Sequence, residues 1–149
     1  MIGLTIALMM MRIEAPLTSP SDACELGRLV IADLRPVYAG NTYVEVDPRR
    51  SELMKLCPDL HMYRPKGIAI ASPYVRSCVS GKVTAVRCQS SPSGIYTIER
   101  PRTVAAPNHA AVEVWFQCGW TCGRGYIYFY VRNAKGWRRD GEPVPAGVS

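Results

Sequence analysis

Six cysteines, two histidines and a carboxy-terminal run of tyrosines are the residues whose types and spacing could do chemistry in this 149-residue chain. Thiols can attack a carbonyl, exchange disulfides or hold a metal, and each use demands its own spacing. Disulfide exchange wants two cysteines with two residues between them at a helix start. Cys118 and Cys122 have three between them and fall between strand-like segments. A zinc site wants two close pairs of Cys or His ligands, and Cys118 with Cys122 makes a single close pair, His109 being nearby in sequence. His61 and His109 sit in loop-like sequence outside any H-E-x-x-H or G-x-S-x-G pattern, which leaves few general-base candidates. The expectation is therefore a non-enzymatic protein, with no catalytic residue, no metal ligand and no cofactor. Cys24, Cys57, Cys78, Cys88, Cys118 and Cys122 are disulfide candidates instead, and an even number in a domain that does not need them for size leans toward an oxidising compartment. Their pairing stays open. A Cys118 to Cys122 bridge could pin the loop between them, or each could reach elsewhere.

The tyrosines offer binding chemistry. Arg124-Gly125-Tyr126-Ile127-Tyr128-Phe129 partly matches the strand pattern by which RNA-recognition domains stack rings on unpaired bases. Ile127 stands where a small residue would let a base approach, and the βαββαβ order of elements is missing. A Tyr126, Tyr128, Tyr130 stripe flanked by Arg124 and Arg132 fits a protein-binding sheet face better, because tyrosine gives contact area at low entropic cost. Single-stranded nucleic acid on the same stripe is the alternative. The net charge of +6 favours acidic partners of either kind, but the basic residues come as scattered pairs and not as a run.

The elements that must position these side chains follow from periodicity and punctuation. Ser19-Pro20-Ser21-Asp22 starts a helix, with Asp22 and Glu25 spaced as a capping box; Leu26, Val30 and Leu34 then recur at helical spacing until Pro36, giving a helix over 21–35. A short strand over 42–46 follows, then a second short helix from Asp47-Pro48 to Cys57. From Pro58 to Pro107 prolines recur too often for a long helix, so short strands are expected over 67–72, 83–88 and 94–100. Val112, Val114 and Phe116 share one parity of a strand over 110–118. In the next strand, over 126–132, Ile127, Phe129 and Val131 are expected to face the core and the tyrosines to face outward. Asn133 to Gly136 is a turn, and a third strand begins near Trp137. The whole is a single α+β domain over 1–149: one or two amino-terminal helices packed on an antiparallel sheet that ends in a β-meander, with a frayed tail over 140–149. The apolar run Ile2 to Met11 is too short to span a bilayer. Residues 1–18 are expected to be a signal-peptide remnant or a first element of the fold.

The element Cys118-Gly119-Trp120-Thr121-Cys122-Gly123, followed by a strand, a turn and Trp137, resembles the final hairpin of small exported bacterial α+β proteins. In these a Cys-Gly-x-x-Cys-Gly element joins two strands ahead of a turn and a Trp. Some such proteins are periplasmic immunity proteins, which bind and silence a toxic effector such as a cell-wall or membrane hydrolase. The resemblance implies a periplasmic or secreted inhibitor that occludes another protein. Trp120 and Arg124, on the glycine-rich loop, belong to the residue types that dominate binding hot spots. With Tyr126, Tyr128 and Tyr130 they make the expected partner-binding set.

Overall fold

Ser19 and Pro20 start the first helix. In the computed structural model, which describes residues 16–81, 88, 92–104, 106–119 and 122–148, α1 spans Pro20–Asp33. The Ser19 hydroxyl accepts from the Asp22 amide, and Pro20 occupies a first-turn position that needs no donor. Asp22 and Glu25 do not close a capping box. They reach the end of the chain instead: Asp22 Oδ1 accepts from the Trp137 indole at 3.1 Å, and Glu25 Oε1 accepts from the Trp137 amide at 3.3 Å. The expectations for residues 1–15, for a strand over 83–87 and for Trp120 lie outside the described residues.

After α1 come β1 (Thr42–Val44), α2 (Glu52–Leu56), a 3-10 turn (Pro58–Tyr63), β2 (Ala69–Ile70), α3 (Pro73–Ser80), β3 (Gly94–Ile98) and β4 (Arg102–Thr103). Then come the long strands β5 (His109–Gln117) and β6 (Gly123–Asn133), followed by β7 (Gly136–Arg139) and β8 (Val144–Val148). Helix α2 begins at Ser51, whose hydroxyl caps the Met54 amide; Asp47 is instead engaged by the Arg49 amide and guanidinium. Helix α3 lies in the stretch read as strands and loops only. Its signal was present: Ser72-Pro73 starts it as Ser19-Pro20 starts α1, Val75 and Val79 are buried four residues apart, and Gly81 ends it at φ +67°.

The eight strands form one mixed sheet in the order β2-β1-β3-β5-β6-β7, with β4 on the free part of β5 and β8 on the free part of β6. The expected α+β class is therefore present, and the expected antiparallel sheet is corrected at one end. There β1 runs parallel to both β2 and β3, because the segments containing α2 and α3 carry the chain across. The meander β5-β6-β7 is antiparallel as read. The tail read as frayed is also corrected, since β8 hydrogen-bonds to β6 from Arg124 to Ile127.

Register decides the core. Val112 pairs with Tyr128, Ala110 with Tyr130 and Val114 with Tyr126, and directly paired residues share a face. Since Ala110, Val112, Val114 and Phe116 are buried against α1, Tyr128 and Tyr130 are buried with them, at 9% and 1% exposure. Ile127, Phe129 and Val131 take the other face and are only partly buried. That reverses the expected orientation of this strand. On the opposite face α3 covers β3 with a second, smaller cluster of Ala71, Val75, Val79 and Ile95. Disulfides join Cys24 to Cys57, Cys78 to Cys88 and Cys118 to Cys122, so all six candidates are paired. Three bridges fit an oxidising compartment. No helix among the described residues is long and apolar enough to cross a membrane.

Candidate binding site beside the disulfide loop

Between β5 and β6 the chain turns through a five-residue loop closed by the Cys118–Cys122 bridge. The Cys118 amide donates to the Cys122 carbonyl at 3.0 Å and the Cys122 amide to the Gly119 carbonyl at 3.4 Å, while Gly119 takes φ +127°, a conformation open to glycine. Strand ends and bridge together fix where the loop leaves the sheet.

Against this loop, on the α1 side of the sheet, lies a cavity of about 360 Å³. Its walls are the rings of Tyr38, Tyr96, Phe116, Tyr126 and Tyr128, with Val37 and Pro143 at the sides and the side chains of Arg35 and Arg124 at its margin. Each ring has a local reason to be there. Tyr96 and Phe116 are cross-strand partners on the inner face, with ring centroids 4.7 Å apart. Tyr38 follows the helix-ending Pro36 and is held by Thr42, whose hydroxyl accepts from the Tyr38 amide and donates to the Tyr38 carbonyl. The Tyr96 hydroxyl donates to the Arg35 carbonyl at 2.9 Å, joining the sheet to the end of α1.

The chemistry of this lining is that of recognition. Burial, with neighbouring Tyr128 and Tyr126, pushes the Tyr96 hydroxyl up to about 12, and burial likewise raises Tyr128. Both stay neutral and offer ring faces, the Tyr96 proton being already donated to the Arg35 carbonyl. The two histidines lie elsewhere, each with Nδ1 against a local carbonyl: His61 on Pro58 at 2.8 Å and His109 on Pro107 at 2.7 Å. Those contacts set Nδ1 as the donor and leave each ring bound to its own turn. Among the described residues no group of three or more His, Cys, Asp and Glu is placed to hold a metal ion.

Of the expected partner-binding set, Arg124, Tyr126 and Tyr128 are brought together at the cavity. Tyr130 is corrected to a core residue beneath α1, and Tyr128 presents only the part of its ring that lines the cavity. The register with β5 is the reason, so the three tyrosines do not form an exposed stacking stripe. Trp120 lies outside the described residues. Sequence reasoning missed Arg35, Tyr38, Tyr96 and Phe116. The first two sit in the connection after α1, where Pro36 marks a turn and nothing local says what the turn faces. The other two become a site only when β3 is paired with β5.

Two further recesses flank the sheet. Across it from the aromatic cavity, Tyr43, Val75, Val79, Cys78 and Cys88 line a space of about 250 Å³ that also touches Cys118. Glu52, Glu99 and Glu113 meet Arg100, Arg102 and Trp115 in a polar recess, where burial, then Glu113 and Glu52, raises the Glu99 carboxyl. Compared with known proteins, the chain matches no family model, and no curated protein or solved structure matches it.

Proposed function

We propose that this protein acts by binding another protein, as an exported immunity or inhibitor protein that neutralises a toxic effector or hydrolase by occluding it. The observation that carries the reading is the aromatic cavity with arginines at its margin, set directly against a disulfide-closed loop. Rings and guanidinium groups dominate the energetics of protein interfaces, and a loop closed by a bridge loses little freedom when a partner arrives. Three disulfides suit a secreted or periplasmic place of work. The single-stranded nucleic-acid reading is not taken further, because two of its three stacking rings lie in the core.

A crosslinking assay tests this. A photoreactive residue at position 37, exposed beside the cavity, and another at the exposed position 135, beyond the far end of β6 from Arg124, are introduced into the full chain, which is then mixed with envelope extract from its source. The partner trapped from position 37 is purified, and its own hydrolytic or toxic activity is measured with and without the protein. Stoichiometric inhibition, lost on Arg124→Glu, is the expected result. A partner trapped equally from both positions, or one whose activity is unchanged, overturns the proposal.

A further inference from the structure

The aromatic cavity joins a wall of rings to two guanidinium groups at its margin, Arg35 and Arg124, and among the described residues its lining holds no carboxylate. Arg49, Arg76, Arg132 and Arg139 are each ion-paired to an Asp or Glu, whereas among the described residues Arg35 and Arg124 are not. The polar recess beside Trp115 carries three glutamates and would repel the same ligand. We propose that the cavity takes one aromatic or branched apolar side chain of a partner protein whose adjoining residues are acidic, with Arg35 and Arg124 receiving the carboxylates.

The proposal rests on the protein-binding reading above and adds what the partner must present. Volume sets the size of the guest: about 360 Å³ lies at the small end of ligand cavities and suits a single large side chain with its neighbours at the mouth. The walls are fixed before it arrives. Tyr96 is tied to Arg35, Tyr38 to Thr42, and Phe116 is wedged between those two rings at 4.7 and 6.0 Å. Preorganised walls reduce the ordering cost of association. Val37, 52% exposed at the side of the cavity, extends apolar surface toward an incoming chain. Arginine matches a carboxylate with two parallel donors, so acidic residues on either side of the anchor satisfy both guanidinium groups. A net charge of +6 draws such a segment in from a distance.

The test uses the full chain, isotopically labelled, and three capped hexapeptides: one with a central Phe between acidic residues, one with those acids replaced by Lys, and one with the Phe replaced by Ala. The acidic aromatic peptide should move the ring signals of Tyr38, Tyr96 and Tyr126 and bind at least about tenfold more tightly than either control at low salt. Arg35→Gln combined with Arg124→Gln, both at exposed positions, should reduce its affinity to that of the Lys peptide while leaving the dispersion of the core signals unchanged. Equal binding of acidic and Lys peptides overturns the assignment, as do signals that move only elsewhere or none that move at about millimolar peptide. Phenylacetate binding as tightly as the peptide overturns it too, in favour of a small-molecule pocket. If a trapped partner is inhibited while the peptides leave the cavity untouched, this inference falls and the inhibitor reading stands; peptides in the cavity beside an uninhibited partner give the reverse.

Discussion

Gly94 underlies the cavity wall at the scale of single residues, because a Cβ there would run into the Phe116 ring. Replacing it with Ala should cost about 1–3 kcal/mol by overpacking, read as a lower urea midpoint, and a second change of Phe116→Leu should recover part of the loss. Gly94→Ala with undiminished stability would mean the ring has room to move. A second residue-scale case is the ion pair of Glu45 and Arg76, with side chains 5% and 16% exposed and two hydrogen bonds of 2.6 Å. Burial alone would raise the Glu45 carboxyl, but the Arg76 hydrogen bonds, the Asp47 amide and the Arg76 and Arg50 charges together outweigh it and hold the group below its usual 4.5. A lowered folded value means that the stability from this group is present above about pH 4.5 and is lost as pH falls below it. Arg76→Met leaves the burial opposed by the Asp47 amide and the Arg50 charge alone, so the carboxyl moves up from its parental value and the charge that has lost its partner is relieved by protonation. The variant should lose about 3 kcal/mol or more at pH 7, and its deficit against the parent should shrink as pH falls below about 4.5. Urea unfolding across that range checks it; a deficit independent of pH would place the loss in packing.

Among elements, disulfides differ by what they join. Cys24–Cys57 ties α1 to the end of α2 across 33 residues, while Cys118–Cys122 closes a hairpin loop across four. Chain entropy then assigns roughly 4 kcal/mol to the first bridge and roughly 2 kcal/mol to the second. Replacing Cys24 and Cys57 together by Ala should therefore lower the thermal midpoint more than replacing Cys118 and Cys122, whereas binding at the cavity should suffer more from the second pair. Calorimetry beside the peptide titration separates the two effects, and the opposite ordering of midpoints would show that the hairpin bridge carries more than local order. Elements were also what the sequence made most legible. Helical spacing and a Ser-Pro start gave α1, alternation gave β5 and β6, and Asn133 to Gly136 gave the turn into β7. What stayed hidden depends on pairing between distant segments. In β6 both parities are apolar enough for a core, Ile127, Phe129 and Val131 on one side and the tyrosines on the other, so parity alone does not choose. The pairing of Val112 with Tyr128 chooses. The parallel alignment of β1 and the docking of β8 on β6 are nonlocal in the same way, and the cavity inherits the difficulty, since its rings come from β3, β5, β6 and the turn after α1. Helix α3 is the contrary case, a local signal overshadowed by the prolines around it.

At the scale of the molecule the sheet divides the core unequally. Its inner face carries one large cluster that reaches from α1 and α2 through β1, β3, β5 and β6 to Trp137 on β7. Among the described residues its outer face carries a cluster of four, Val75 and Val79 of α3 with Ala71 and Ile95. The aromatic cavity belongs to the large cluster, being walled by Tyr96, Phe116 and Tyr128, and so should keep its shape unless the whole molecule opens. The recess across the sheet is walled by Val75 and Val79 of α3 and should follow that helix. Because local openings range from nearly no cost up to the global unfolding free energy, these two units should separate in amide exchange. Amides of β5 and β6 around Val112, Val114 and Tyr130 should exchange only through global unfolding, with a denaturant dependence equal to that of equilibrium melting. Amides in the last turn of α3 should exchange through a smaller opening, cheaper by about 2 kcal/mol or more and weakly dependent on denaturant. The Cys78–Cys88 bridge limits how far α3 can leave, without supplying the apolar contacts that would make its opening global. A single exchange free energy shared by both groups would mean that the four outer residues are coupled to the main core through β3. In that event the two faces act as one cooperative unit, and a guest in the aromatic cavity should slow exchange in α3 as much as in β6.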